Sequence, residues 1–218
     1  MRLISFLLCV FMWACSSQAQ AHPHVWVAMR SELIFGADGR LHAVRHHWTF
    51  DDMYSAFAVQ GLGPEGQILS DEQLLPLAKT NVEQLVEYNY FTFVKVGGKP
   101  ASLLPATDYA LHEDEKKLLT LTFTVPLASP ASASKALVFQ VYDPSYFVDF
   151  TFERSPNDTK DVGVTLVDAS KGCSLSVFRP KPLGESEQKA LNEAFFADLS
   201  PGEDFGIKLA DRAIVACP

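Results

Sequence analysis

Two segments near the start of the chain alternate between apolar and polar residues, at 25–35 and at 41–50. A period of two is typical of a β-strand that buries one of its faces. Between the segments, the dipeptide Asp38-Gly39 favours a tight two-residue turn. The pattern therefore predicts a β-hairpin at the beginning of the fold.

The register of this hairpin decides which side chains share a face. If Ala37 faces Arg40, one face is apolar and consists of Val25, Val27, Met29, Leu33, Phe35, Val44, Trp48 and Phe50. The opposite face carries His24, Trp26, Arg30, Glu32, Arg45, His47, Thr49 and Asp51. In this register Asp51 lies opposite Trp26 and diagonal to His24. A carboxylate is therefore expected near the start of the first strand.

Helical and alternating segments follow the hairpin. A short helical segment is expected over 51–57, a long helix from a capping sequence at 70–73 to about residue 90, and a shorter helix over 184–197. Alternation predicts further strands over 91–97, 100–111, 118–127, 136–142, 147–152, 162–168, 173–178 and 206–216. The Ser- and Ala-rich stretch 129–134 is expected to be a surface loop. The fold class is α+β, with mainly antiparallel strands and one long and one shorter helix.

The N-terminus has the composition of an export signal. Arg2 precedes an apolar segment over 3–14, and Ala19-Gln20-Ala21 supplies the small residues that precede a cleavage site. The apolar segment is shorter than the ~20 residues that span a bilayer. Attachment of a lipid at Cys15 is an alternative, but the bulky Trp13 fits lipoprotein processing poorly. We therefore expect a signal peptide over 1–21 that is cleaved after Ala21.

The mature chain, residues 22–218, is long enough for one periplasmic domain, or for two closely packed subdomains. The formal net charge of the sequence is −8, and Lys and Arg do not cluster. This composition argues against a nucleic-acid partner, because binding to phosphates requires grouped basic side chains.

The cysteines indicate a disulfide. Cys9 and Cys15 belong to the predicted signal, so Cys173 and Cys217 remain in the mature chain. Two cysteines in an exported protein most simply pair with each other. A thiol metal site or redox site is the alternative, but neither cysteine has the CxxC spacing that such sites use.

The candidate chemistry lies at the new N-terminus. Cleavage after Ala21 would give His22 a free amine, so its amine and its ring could chelate one metal ion, and His24 would add a second imidazole. Pro23 has no N–H and cannot supply a deprotonated amide to a square-planar copper site. The alternative is two surface histidines that only begin a strand.

Asp51 is the best candidate for a third ligand, because the hairpin register brings it towards His24. Asp52 and Asp143 are weaker candidates. A carboxylate with two imidazoles suits zinc, nickel, cobalt or copper. The alternative for Asp51 is the N-cap of the helical segment that follows, which is a common position for aspartate.

Two further motifs are weaker. His47 faces Arg30, about 20 Å along the strand from His24, and His46 points to the apolar side, so it is expected to be a core histidine. Residues 61–72 align with a twelve-residue calcium loop, but the first and third ligand positions are glycines without a side-chain oxygen. The chain has no nucleophile elbow, zinc-protease motif or phosphate-binding loop. We therefore expect a binding protein and not an enzyme.

Five separated motifs resemble a bacterial family of exported proteins of unknown function. They are His22-Pro23-His24-Val25-Trp26, the run 48–55, Tyr90-Phe91-Thr92, the run 142–146, and Ala210-Asp211-Arg212 with Cys217-Pro218. Members of that family are described as periplasmic components of an uncharacterised ABC-type transport system and are associated with nickel or cobalt permeases. The resemblance implies a periplasmic accessory to metal transport, whose partner is an inner-membrane metal permease or ABC-type transporter.

The predicted function is thus the binding of a divalent transition metal by His22, His24 and Asp51 in the service of a transporter. One alternative is a copper oxidoreductase with an N-terminal histidine brace, which needs a third imidazole from His46 or His47. Another is an interaction module without a metal, which docks through the aromatic residues Tyr54, Phe57, Tyr90, Phe91, Tyr146 and Phe147.

Overall fold

A computed structural model of the chain describes residues 24–64, 66–155, 163–181, 183–184, 186–187, 191 and 204–218. The predicted signal peptide, His22 and most of the predicted helix 184–197 lie outside these residues. The chain divides into two compact units, one of which consists of Met1–His22 and Leu183–Leu199 and the other of Pro23–Pro182 and Ser200–Pro218. All that follows concerns the second unit.

The described residues of this unit form an α+β fold, as predicted. Its α-helices are α1 (Asp52–Ala58) and α2 (Asp71–Leu85), and two 3-10 helices cover Val86–Phe91 and Gly206–Lys208. The strands are β1 (Val25–Phe35), β2 (Arg40–Phe50), β3 (Thr92–Val96), β4 (Lys99–Pro100), β5 (Thr107–Glu113), β6 (Leu119–Ser132), β7 (Leu137–Val141), β8 (Val148–Phe152), β9 (Val164–Val167), β10 (Ser174–Phe178) and β11 (Arg212–Ala216).

The strands form two sheets. In the first sheet the order is β5-β6-β2-β1-β8, and β9 also pairs with β1; in the second the order is β10-β11-β7-β3-β4. Most neighbours are antiparallel, but β8 and β9 both run parallel to β1. The apolar faces of the two sheets meet, and Phe139 of β7 contacts Phe152 of β8 with 5.9 Å between ring centroids. The core therefore lies between the sheets.

The predicted hairpin register is confirmed along most of its length. Val27 pairs with Phe50 and Arg30 with His47, and the predicted apolar face is buried apart from the partly covered Val25. The register shifts between Ile34 and Phe35, so the prediction that Ala37 faces Arg40 is wrong. Instead, Gly36 donates its N–H to the carbonyl oxygen of Arg40 at 2.9 Å. The turn is one residue wider than predicted, because Gly39 adopts a φ of 71° and the Asp38 carboxylate accepts the N–H of Arg40.

The predicted loop at 129–134 is wrong over 129–132, whereas residues 133 and 134 form a turn. Strand β6 continues to Ser132, and Ala131 lies opposite Leu41 of β2. Ala131 and Ala133 are buried. Their small apolar side chains fit under the neighbouring strand, so a composition that resembles a linker extends the sheet here.

Helix α2 begins as predicted. Ser70 and Gln73 form a reciprocal capping box, in which the Ser70 hydroxyl accepts the N–H of Gln73 and the Gln73 side chain accepts the N–H of Ser70. The α-helix ends at Leu85, earlier than expected, and continues as the 3-10 helix. None of the described helices has the length and apolar character needed to cross a membrane.

The predicted disulfide is confirmed. Cys173 and Cys217 are bonded, with 4.1 Å between their Cα atoms and a sequence separation of 44. The bond joins the residue before β10 to the residue after β11, so it ties down the end of the chain. In the chain-entropy description, closing a loop of this size stabilises the fold by roughly 3–4 kcal/mol.

Candidate functional site

The start of β1 is where the predicted metal ligands were expected, and His24 lies there at the surface. The backbone N–H of His24 donates to the carbonyl oxygen of Phe147 at 2.9 Å. The two rings stack, with 4.7 Å between their centroids. His24 is therefore placed on the outer face of the sheet, while His22 lies outside the described residues.

Asp51 follows the last residue of β2 and is the N-cap of helix α1. Its Oδ1 accepts the N–H of Tyr54 and its Oδ2 accepts the N–H of Trp26, both at 2.8 Å. The N–H of Asp51 in turn donates to the carbonyl oxygen of Trp26 at 3.0 Å. The structure thus shows the N-cap role and the predicted position opposite Trp26. Two backbone donors use two of the roughly four acceptor positions of a carboxylate, so the group is fixed in orientation and keeps capacity for a cation.

A second carboxylate lies on the strand at the other edge of β1. Trp26 pairs with Asp149 of β8, and paired residues of neighbouring strands project from the same face of a sheet. Burial raises the pKa of Asp149, the charge of Asp211 raises it further, and the hydrogen bond from Tyr146 lowers it. A nearby divalent cation would favour the charged form of this group.

Asp149 was not predicted as a site residue. The alternation over 147–152 placed it on the polar side of a strand, which is correct. The sequence pattern does not say which strands are neighbours, and strands β2 to β7 lie between β1 and β8 along the chain. The available signal was a polar residue, Asp149, within the alternating segment 147–152.

Asp143, a weaker candidate, is a structural residue. Its Oδ1 accepts the N–H and the hydroxyl of Ser145, and its Oδ2 accepts the N–H groups of Phe147 and Val148 at 3.1 Å. It is buried and holds the turn that presents Phe147 to His24. Asp52, the other weaker candidate, is exposed and accepts the N–H of Met53.

His46 is a core histidine, as predicted. The Thr92 hydroxyl donates to the carbonyl oxygen of Tyr90 at 2.7 Å, so it accepts from His46 Nε2 at 3.1 Å. His46 Nδ1 then accepts from the Ser31 hydroxyl at 3.1 Å. Burial lowers the pKa of His46 to about 3. The ring is neutral and both nitrogens are used.

His47 faces Arg30 along the strand, away from His24. Its Nδ1 lies 3.1 Å from the Thr122 hydroxyl, and its Nε2 lies 3.7 Å from a Glu32 oxygen. Among the described residues, neither His46 nor His47 is therefore placed to supply the third imidazole of a copper brace.

Nitrogen and oxygen donors lie near the start of β1, but the described residues alone do not form a metal site. They contain no cluster of three or more His, Cys, Asp or Glu side chains with the geometry to hold an ion. His24, Asp51 and Asp149 offer one imidazole and two carboxylates. The amine and ring of His22 would have to complete the set. Nitrogen and oxygen donors of this kind suit zinc, nickel or cobalt.

The loop 61–72 lines a cavity of about 640 Å³, together with side chains such as Glu113 and Lys117. Glu113 is buried and accepts the N–H of Leu69 at 2.7 Å. Lys117 Nζ donates to the carbonyl oxygen of Gly66 at 3.0 Å. A lysine ammonium on a loop carbonyl opposes the binding of a calcium ion beside it, in line with the missing side-chain ligands.

The aromatic docking surface of the non-metal alternative is not continuous. Tyr90 and Phe91 are buried, whereas Phe57 and Phe147 are exposed. Tyr54, Phe91 and Phe147 line one cavity of about 210 Å³, so only part of the predicted set shares a surface.

The α+β fold and the motifs at its N-terminal edge can now be set beside known proteins. The sequence profile of a family of proteins of unknown function, DUF1007, matches residues 7–217. The chain belongs to this family. It is also similar to the uncharacterized 15.5 kDa protein in trpE 3′ region of Spirochaeta aurantia, with 28% identity over 102 residues that cover 47% of this chain and 69% of the relative.

Proposed function

We propose that this protein binds a divalent transition metal at its mature N-terminus and acts as a periplasmic accessory of an inner-membrane metal transport system. The observation that carries the proposal is the position of Trp26, which has Asp51 beside it on one neighbouring strand and Asp149 on the other. His24 precedes Trp26 by two residues and lies at the same end of the sheet. An imidazole and two carboxylates thus surround the first residues of β1.

The two carboxylates have different roles in this proposal. Strands β2 and β8 flank β1, so the backbones that carry Asp51 and Asp149 are about 10 Å apart. A single ion therefore takes one of them as a ligand. Asp51 is the ligand, because its backbone hydrogen bonds orient it before the metal arrives, and Asp149 adds a second negative charge on the same face.

The N-terminal part of the site depends on processing. Cleavage after Ala21 frees the amine of His22, and the amine and ring can then serve as ligands together with His24. Pro23 lies between the two histidines in the sequence. It reduces the number of conformations open to this segment, because its φ angle is fixed. An uncleaved chain would lack the amine ligand.

The transport role rests on the resemblance to periplasmic components associated with nickel or cobalt permeases. The disulfide supports an oxidising compartment, because such bonds persist in exported proteins and are rare in reducing ones. The copper oxidoreductase is less favoured, since both described histidines of β2 that could serve as a third imidazole are engaged elsewhere.

The test is a calorimetric titration with Ni²⁺, Co²⁺, Zn²⁺ and Cu²⁺ of the protein that begins at His22. A second form carries one additional alanine before His22, and a His24→Ala variant removes the second imidazole. His112→Ala is the matched control, because His112 is an exposed histidine that contacts Asp71 on another part of the surface.

We expect one ion per chain, weaker binding with the additional alanine or with His24→Ala, and unchanged binding with His112→Ala. Asp149→Asn should weaken binding about tenfold, as is typical of groups that support a ligand without touching the metal. Equal affinity of the two N-terminal forms would remove the amine from the site. No binding by any form would overturn the proposal.

A further inference from the structure

The cavity of about 640 Å³ beside the loop 61–72 lies between two connections of the fold. One wall is the segment that joins α1 to α2, and the other is the turn between β5 and β6. Sites for small molecules usually have volumes of about 300–1,000 Å³. The size of this cavity therefore suits a small ligand.

A buried carboxylate lies in the wall of this cavity. Glu113, the last residue of β5, is 3% exposed, and its Oε2 accepts the N–H of Leu69 at 2.7 Å. Among the described residues, no donor contacts Glu113 Oε1 and no basic side chain pairs with the group. Oε1 is not sealed inside the protein, because Trp48 Nε1 is the one sealed side-chain nitrogen or oxygen atom without a partner in the described part of the chain. This oxygen therefore faces the cavity that Glu113 lines.

The contact of Glu113 with the loop does not require a charge. A glutamine oxygen would accept the N–H of Leu69 in the same way. A glutamate adds a negative charge and a second acceptor oxygen, and buried glutamates are rare unless they are paired. The free oxygen is thus suited to a cationic group that enters from the cavity.

Two lysines bring the opposite charge to the same cavity. Lys116 and Lys117 line it from the turn between β5 and β6, and both are exposed. The turn is well fixed, because Asp114 Oδ1 accepts the N–H groups of Lys116 and Leu118, both at 2.8 Å. Lys117 Nζ uses one of its three donors on the carbonyl oxygen of Gly66. Both ammonium groups thus keep donors for an anionic group.

The backbone at Lys117 supports a role for its side chain. Its φ of 64° lies in the left-handed region, where glycine is favoured and a residue with a side chain is strained. A glycine would relieve this strain, but it would also remove an ammonium group from the cavity. The chain therefore has a lysine where the turn alone favours a glycine.

We propose that this cavity binds a small linear zwitterion, whose ammonium group contacts Glu113 and whose carboxylate group contacts Lys116 and Lys117. Neither lysine pairs with Glu113, so the two kinds of charge are separated and the ligand must carry its own charges at opposite ends. The lysines would repel a metal ion or a simple amine, and Glu113 would repel a simple anion. A ligand with both charges has a partner for each.

6-Aminohexanoate is the probe, because its flexible chain lets the two charged ends adopt a range of separations. N-acetyl-6-aminohexanoate lacks the positive charge, and 6-aminohexanamide lacks the negative charge. Each is titrated into the protein that begins at His22, with a chelator present, and binding is followed by the ¹⁵N–¹H signal of Leu69, whose N–H contacts Glu113. We expect saturable binding of 6-aminohexanoate and at least about tenfold weaker binding of each blocked compound, because each loses a charged hydrogen bond.

Two variants assign the two ends of the ligand. Glu113→Gln should weaken the binding of 6-aminohexanoate about tenfold and change that of the N-acetyl compound little, since this compound has no ammonium group. The double variant Lys116→Gln, Lys117→Gln should weaken 6-aminohexanoate similarly and leave 6-aminohexanamide unchanged. Lys79→Gln is the matched control, because Lys79 is an exposed lysine of α2 that pairs with Glu83 and does not line the cavity. Circular dichroism confirms that each variant is folded.

The proposal is wrong if 6-aminohexanoate does not move the Leu69 signal in a saturable way, or if the three compounds bind the native protein equally. Both results count even where a variant fails to fold. Equal binding of 6-aminohexanoate by the native protein and a folded Glu113→Gln would also overturn it. None of these results affects the proposed metal site, since no proposed ligand of that site lines the cavity.

Discussion

The two edges of strand β1 are built in opposite ways. On one edge, β2 follows directly after a short turn and pairs antiparallel with β1. On the other edge, β8 and β9 arrive from the second half of the chain and pair parallel with β1. The difference shows that one strand can combine a local hairpin with long-range pairing. Of the two carboxylates near Trp26, Asp51 belongs to the local edge and Asp149 to the long-range edge.

The contacts that hold the two edges differ as well. On the local edge, Asp51 joins the end of β2 to the start of β1, because its carboxylate accepts the N–H of Trp26 and its own N–H donates to the carbonyl oxygen of Trp26. On the long-range edge, Asp211 accepts the N–H of Phe152 at 2.9 Å and pairs with Arg179 at 2.7 Å. Arg179 also donates to the carbonyl oxygen of Phe152. A buried ion pair thus secures the end of β8 beside β1.

The largest effect is expected from Asp211→Ala, which breaks a contact of the long-range edge. Asp211→Ala should lower the free energy of unfolding by about 3–5 kcal/mol, because Arg179 loses its carboxylate contact in a largely buried position and the N–H of Phe152 loses its acceptor. Urea denaturation followed by circular dichroism measures the change.

Asp211→Asn is the matched variant. It keeps a side-chain oxygen for the N–H of Phe152 and removes only the charge, so its effect should be smaller than that of Asp211→Ala. If the alanine variant costs less than about 1 kcal/mol, the ion pair does not secure this edge.

The local edge could be predicted from the sequence, because the hairpin depends on alternation and on a turn signal that are close together in the chain. The positions of Asp51 opposite Trp26 and of His47 opposite Arg30 both follow from that register. Only the residues near the turn were misplaced, because the Asp38 side chain and the φ of Gly39 make the turn wider. The register of the rest of the hairpin follows from residues that are close together in the chain.

The long-range edge could not be predicted in the same way. The alternation over 147–152 identifies a strand, but the choice of β1 as its neighbour depends on the Asp143 turn, the Asp211 ion pair and the packing of Phe152. For these reasons Asp149 appeared only in the structure.

The next largest effect concerns the inner contact of the local edge, where Ser31 of β1 meets His46 of β2. The folded protein keeps His46 neutral down to a pKa of about 3, whereas the unfolded chain takes up a proton near pH 6.5. The resulting stability is complete above pH 6.5 and is lost as the pH falls towards 3. The slope is about 1.4 kcal/mol per pH unit.

Urea denaturation at pH 6.5 and pH 4.5 tests this expectation in the native protein and in His46→Phe, which cannot titrate. The native protein should lose about 2–3 kcal/mol more than the variant over this range. Equal losses would show that carboxylates alone cause the acid sensitivity, and that His46 is protonated in the fold.

A smaller effect is expected where β9 passes the end of β8. A Cβ atom on Gly163 would lie 2.4 Å from the Cβ of Phe152 and 2.8 Å from the backbone nitrogen of Glu153. The same glycine accepts the N–H of Ser31 at 2.8 Å. Gly163→Ala should therefore cost about 1–3 kcal/mol by pushing β9 away from β1.

Thr165→Ala, at an exposed position of β9, is the control for this measurement and should change stability by less than about 0.5 kcal/mol. Thermal unfolding compares the two variants. If Gly163→Ala is as stable as the control, the close approach of β9 to β8 is not required for the parallel pairing.

The smallest effect on stability is expected at the proposed site itself, on the local edge of β1. Asp51→Ala removes the N-cap of α1 and the acceptor for the N–H of Trp26, so it should cost about 1–2 kcal/mol. Asp52→Ala, one residue further in the same turn, removes an exposed carboxylate and should change stability by less than about 0.5 kcal/mol.

Asp51→Asn separates the two roles of this residue, because asparagine caps a helix about as well as aspartate but is a much poorer metal ligand. Its one side-chain oxygen can accept the N–H of Tyr54, but its amide nitrogen cannot accept the N–H of Trp26. Its stability should therefore lie between those of the native protein and Asp51→Ala, while its affinity for Ni²⁺ in calorimetry falls at least as far as in Asp149→Asn. If Asp51→Asn binds Ni²⁺ like the native protein and Asp149→Asn does not, the carboxylate ligand comes from the long-range edge of β1. The site would then be built by the part of the fold that the hairpin pattern does not reach.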